Sequence, residues 1–141
     1  MKYSTLHTTI QTLVVTNLGL DFIESSDDRV NNYAGDFPLV VLNPPEARIE
    51  NVNDRLSVMY DVGMWFMALK PQDNTYETIQ ALVEAQWDNA ASFIREWVDR
   101  GAPEPINKGV ISPFYSIRIS AHITAGVYLQ FEIETIDDLA C

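Results

Sequence analysis

The sequence predicts an α+β fold, an antiparallel or mixed sheet with helices packed on one face, in the order α-β-β-β-α-β-β. Three patterns carry this. From Tyr115 to Ile133 every odd-numbered residue is apolar and the even positions are mostly polar, the two-residue period of a strand with one dry face. Leu56, Val58, Tyr60, Val62, Met64, Phe66 and Ala68 repeat that period on even positions. Ile79, Leu82, Val83, Trp87, Ala90, Phe93, Ile94 and Trp97 recur at helical spacing, opposite Glu84, Asp88, Asn89, Arg95, Glu96, Asp99 and Arg100. Residues 1–141 are expected to form one domain, because a chain of this length can bury a core without metal or disulfide support.

The first element is read as a helix, with Leu6, Ile10, Leu13, Val14 and Leu18 on one face, Ser4 as the cap and Gly19 as the stop. Thr12, Val14, Val15 and Thr16 are β-branched, so a strand over residues 12–16 competes with it. Residues 25–36, with Asp27, Asp28, Asn31, Asn32 and Gly35, read as a long polar loop. Residues 37–42 are a short apolar run closed by Pro44 and Pro45, the pattern of a strand buried on both faces. Ala47, Ile49 and Val52 lead through Asn53 and Asp54 into the even-position strand, which gives a hairpin. The odd positions of that second strand start polar at Ser57 and Asp61 and end as Trp65, Met67 and Leu69. Its far end is therefore expected to be covered twice, by the helix layer and by a partner.

Asn74 and Glu77 have capping-box spacing for the long helix, and Gly101, Pro103 and Pro105 end it. A straight strand from Tyr115 to Ile133, at roughly 3.3 Å per residue, would exceed about 60 Å. A compact chain of this size has a radius of gyration near ~14 Å, so the segment must turn. Preserving odd parity across the turn calls for a loop of three or five residues near His122, with Gly126 as the bulge candidate.

Twenty acidic against nine basic residues give a net charge of -11, which disfavours sequence-specific nucleic-acid binding but suits an acidic wall past which a duplex slides without sticking. The single cysteine, Cys141, has no intrachain partner, which points to a reducing compartment. Residues 6–20 are interrupted by Thr8, Thr9, Gln11, Thr12, Thr16 and Asn17 and are expected neither to target nor to span a membrane.

No phosphate loop, dinucleotide glycine pattern, zinc-type cysteine pair or nucleophile elbow occurs, so the expectation is a protein that is not an enzyme and holds no cofactor or metal. His7 and His122 lack a third ligand at any useful spacing and are expected to be exposed and inert. Asp27 and Asp28 read as solvated, Asp61 as a surface or interface charge rather than a general base, and the tail acids Glu132, Glu134, Asp137 and Asp138 as solvated. The sheet face away from the helices is expected to present Trp65, Met67, Tyr128, Gln130 and Glu132, a polar and aromatic mixture typical of interfaces. The alternative is that Trp65 and Met67 are ordinary core.

In architecture the chain resembles the small tail-terminator and tail-completion proteins of long-tailed bacteriophages, members of the head-tail joining group. The likeness rests on Phe37, Pro38, Leu39, Val40 and Val41 followed by Pro44 and Pro45, and on the strand ending Trp65, Phe66, Met67, Ala68, Leu69 before Pro71. It extends to the Trp-containing helix and the closing strand with Gly126, Val127, Tyr128, Leu129 and Phe131, and so covers nearly the whole chain. The resemblance implies a virion structural protein made in the host cytoplasm. It implies a homo-oligomeric ring, commonly hexameric, that caps the tail tube, contacts the head connector and lets DNA pass through its lumen. Other head-tail neck proteins share this logic. Two further readings stay open: a small-ligand domain with an apolar pocket lined by Trp87, Phe93 and Met64, and an adaptor that binds a basic protein through its acidic surface.

Overall fold

A computed structural model describes residues 1–26, 28–52, 54–72, 75–102 and 104–135. Expectations placed on Asp27, Asn53, Asn74, Pro103, Asp137, Asp138 and Cys141 fall outside these residues. Helix α1 (Tyr3–Thr12) runs into a π-helical turn at Leu13–Asn17, and the strands are β1 (Asp21–Glu24), β2 (Leu39–Leu42), β3 (Glu46–Val52) and β4 (Arg55–Leu69). Helix α2 (Tyr76–Asp99) precedes β5 (Ile106–Ile119) and β6 (His122–Thr135). The α+β class holds, with one strand more than the sequence predicted.

All six strands lie in one sheet, ordered β1-β2-β4-β6-β5, while β3 pairs with the other half of the β4 edge that β2 occupies. Among the described residues only the β1–β2 pair is parallel. Both helices pack on one face, where Leu6, Ile10, Leu13, Val14, Val83, Ala90, Phe93 and Trp97 meet the even positions of β4 and the odd positions of β6. The residues that favoured a strand at 12–16 are therefore helical, because burying Leu13 and Val14 against the sheet outweighs their weak helix preference. Ser4 is not the cap: the helix starts at Tyr3, and Lys2 precedes it without a side-chain hydrogen bond. Helix α2 is capped by Thr75, whose hydroxyl accepts from the Thr78 N–H at 3.2 Å. It ends at Gly101, whose φ of +74° lies in the left-handed region a glycine tolerates.

The last hairpin does not keep the expected parity: Ile117 and Ile119 pair with Thr124 and His122 and pack on the face away from the helices, whereas Ala125, Val127, Leu129, Phe131 and Ile133 face the helices. Ile119 pairs with His122 across a two-residue turn at Ser120 and Ala121, which alone would reverse parity. A bulge in β5 restores same-parity pairing only on its far side, from Lys108 to Phe114, because Phe114 pairs with Gly126 and Ile117 with Thr124, leaving Tyr115 and Ser116 opposite Ala125. The extra residue sits on the strand facing Gly126 rather than at Gly126. The turn is packed: the Lys70 N–H donates to the Ile123 carbonyl at 2.9 Å, and the His122 ring meets Phe37 edge to face at 5.3 Å.

A second cluster lies on the opposite face at the β1–β2 end, built from Ile23, Leu39, Val41, Met67 and Ile119. Val30 and Tyr33, from the segment read as a polar loop, and Phe37, from the start of the apolar run, cover it together with Trp65, Phe114 and Ile117. The chain itself thus covers Met67 and part of Trp65 at the end of β4, while Leu69 stays 46 % exposed.

Tyr60, 6 % exposed, donates its phenol hydrogen to the Met1 carbonyl at 3.0 Å, and burial pushes its pKa up from the ordinary value. A raised pKa in the folded state stabilises fully below the unfolded value near ~10 and is lost as the pH climbs through the folded value. Tyr60→Phe is therefore expected to cost about 1 kcal/mol at neutral pH through the lost hydrogen bond. The same variant should lose less stability than wild type on going above about pH 10. Urea unfolding across that range checks both. Tyr3, pushed up by burial and then by Glu24, leaves a residual slope in the variant.

Candidate functional site

The sheet face away from the helices is built by register. Cross-strand pairing sets Glu46 beside Asp61, Asp61 beside Glu132 and Glu132 beside Lys108, one row across β3, β4, β6 and β5. Paired residues share a face, so these four side chains stand on the same side of the sheet. The next rows along β4 and β6 are Gly63 with Gln130 and Trp65 with Tyr128.

Arg48, on β3, organises the acidic part. Its guanidinium forks onto Asp61, Nε to Oδ2 at 2.9 Å and Nη2 to Oδ1 at 3.1 Å, and also reaches Glu50 at 2.6 Å and Glu132 at 3.0 Å. The hydrogen bond with Asp61 raises its pKa above the ordinary arginine value, desolvation opposes this, and the charges of Asp61, Glu132 and Glu50 add to the rise. The fork matches a carboxylate in shape as well as charge. At 40 % exposure the pairs are screened by water, so they arrange the surface more than they stabilise the fold.

Beside this hub lies a groove of about 530 Å³ whose lining includes Asn43, Pro44, Gly63, Val110, Tyr128 and Gln130. Tyr128 accepts from Asn43 Nδ2 at 3.0 Å and lies across Gly63, where a Cβ would stand 2.0 Å from the phenol oxygen. The glycine is what lets the ring lie flat on the strand. Trp65 stacks on Tyr128 at 4.3 Å between centroids, tilted by 33°, and meets Phe114 edge to face at 5.4 Å.

Of the residues expected on this face, Trp65, Tyr128, Gln130 and Glu132 are brought together there. Met67 is not available: it is 3 % exposed and sits in the second cluster beneath the chain's own 25–38 segment. Glu46, Arg48 and Lys108 join them from β3 and β5. Glu46, Arg48 and Glu50 alternate along β3, and that spacing was a readable signal of one charged strand face. Asp61 is held by Arg48, as a structural surface charge would be.

The proposed apolar pocket does not form from its three residues. Phe93 and Met64 are fully buried in the main core, whereas Trp87 stands 46 % exposed on the flank of α2. The histidines are not idle on the surface either: His7 Nε2 lies 2.7 Å from Glu24 Oε1 with its ring edge on Phe22, and His122 packs on Phe37. Among the described residues no group of three or more His, Cys, Asp or Glu is placed to hold a metal ion, and no helix is long and apolar enough to cross a membrane.

Chemically, this face offers carboxylates ordered by one arginine, a stacked aromatic pair and an uncovered strand margin, all of them means of holding a partner. No family model matches the chain, and no curated protein matches its sequence.

Proposed function

We propose that the chain is a tail terminator of a long-tailed bacteriophage, a virion protein made in the host cytoplasm. Its copies close into a ring, six-fold as the resemblance implies, at the head-proximal end of the tail tube, and join it to the head connector. The observation that carries the assembly part is that the sheet is unfinished on both sides. Among the described residues β5, fourteen residues long, pairs only with β6, while β1 and β3 on the far side each pair with a single strand. Such margins are templates for strand addition unless they are blocked. Val110 and Tyr115 stand 55 % and 50 % exposed on β5, apolar area that a neighbour would cover. The virion part is supported by the order and character of the elements alone. The charge of -11 suits a lumen through which DNA slides.

Native mass spectrometry with negative-stain imaging tests this at micromolar concentration, with the protein alone and mixed with tail-tube protein. A closed ring that seats on tube ends is expected. A strict monomer in both samples overturns the proposal, and rings that bind only the connector reassign the chain to the neck.

A further inference from the structure

We infer that the open edge of β5 joins the open edge of β3 on a second copy of this chain, head to tail and antiparallel, which brings Lys108 onto the strand face that Glu46 and Glu50 make acidic. This rests on the self-assembly proposed above and says which surfaces meet.

Strand direction permits it without turning a subunit over. β6 is antiparallel to β4 and β5 is antiparallel to β6, so β5 runs with β4; β3 runs against β4. Setting β5 of one copy beside β3 of the next therefore extends the sheet in the antiparallel sense, which gives the better-aligned ladder. Length agrees as well. Pro113 has no N–H to donate and the bulge at Tyr115 and Ser116 breaks the edge, which leaves residues 106–112 as the usable stretch of β5. β3 has seven residues, and its open edge is bounded by Pro44 and Pro45 and by the β1–β2 pair along the same side of β4.

Charge selects the combination. β5 carries Lys108 and Arg118 and no acidic residue, in a chain with twenty acids and nine bases. The far margin carries Asp21 and Glu24 on β1 and Glu46 and Glu50 on β3, and its one arginine, Arg48, is taken by carboxylates of the same molecule. Among the described residues neither Lys108 nor Glu46 forms an ion pair, and each stands at an opposite end of the four-strand row. Three inter-strand steps separate them, about 14 Å, too far to pair within one chain. Like edges gain no such attraction, since β5 on β5 brings only lysines together and β3 on β3 adds two further carboxylates beside each arginine. A head-to-tail contact of unlike edges grows until rotation closes it, which yields a ring.

The test uses the full-length chain with two charge reversals, Lys108→Glu in one variant and Glu46→Lys with Glu50→Lys in the other, read by sedimentation velocity and native mass spectrometry. Each variant alone is expected to associate about tenfold or more weakly, because both of its contacting edges then carry one sign. Mixed in equal amounts they should restore assembly, with the two chains alternating around the ring, an outcome that a folding defect cannot produce. If Lys108→Glu forms the same ring as wild type, or if the mixture fails to recover, the edge assignment falls while the ring stands. If wild type itself stays monomeric with and without tail-tube protein, both fall.

Discussion

Gly126→Ala is expected to destabilise the protein by at least about 3 kcal/mol, more than one methyl ordinarily costs when it overfills a core. A Cβ at this position would lie 1.9 Å from the Phe66 carbonyl oxygen and 3.0 Å from its carbon, with Gln86 Cγ at 3.2 Å. The nearest obstacle is the backbone of β4, the central strand, and not the end of a side chain that could rotate away. Relief would require β4 and β6 to separate in a stretch where twelve consecutive residue pairs join them. Gly109→Ala is the matched control. It lies on β5, nothing comes within 4 Å of its new Cβ, and strand alanine is favoured over glycine by roughly 0.5–1 kcal/mol, so it should be neutral or slightly stabilising. Urea unfolding of the two variants beside wild type decides the matter. A Gly126→Ala protein within about 1 kcal/mol of wild type would mean that the strands part more easily than their spacing implies.

Periodicity exposed the long elements because each repeats over many residues: the even positions of β4, the odd positions of β6 and the stripe on α2 all face one core. The short and non-local features stayed hidden for physical reasons. β1 offers only four residues, Asp21–Glu24, and becomes a strand by pairing with β2 from outside the hairpin system. The alternation from Tyr115 to Ile133 hid a change of face, since Ile117 and Ile119 are apolar toward the second cluster and Ala125 to Ile133 are apolar toward the helices, so one unbroken pattern masked a two-residue turn. Val30 and Tyr33 are spread through polar residues, so their joint cover with Phe37 over Met67 shows only once the chain is folded. The assembly face was half readable. Trp65, Tyr128, Gln130 and Glu132 follow from alternation, but the row from Glu46 to Lys108 depends on three separate registers, and no single segment encodes it.

The α2 tryptophans show the same limit within one helix and give the second large effect. Both fall in the apolar stripe of the sequence, yet Trp97 is 2 % exposed and Trp87 is 46 % exposed. At 100° per residue the core-facing positions Val83, Gln86, Ala90, Phe93 and Trp97 form one side of the helix, with Trp87 at its margin. Trp97 packs against Phe93 at 6.3 Å and Phe131 at 6.4 Å, and its indole N–H donates to the Glu104 carbonyl at 2.9 Å. Arg100 lies over its ring at 3.9 Å and pairs with Glu104 at 3.0 Å, so one side chain ties the end of α2 to the segment that starts β5. Trp97→Ala should therefore cost about 3–5 kcal/mol, a large share of the roughly 5–15 kcal/mol a domain has in total. Trp97→Phe keeps most of the ring and loses the indole hydrogen bond, which puts its cost at about 1–2 kcal/mol. Trp87→Ala removes a half-exposed ring and should stay within about 1 kcal/mol. Denaturant titrations of the three variants give the ordering, and a Trp87→Ala loss equal to that of Trp97→Ala would contradict the helix face assigned to the core.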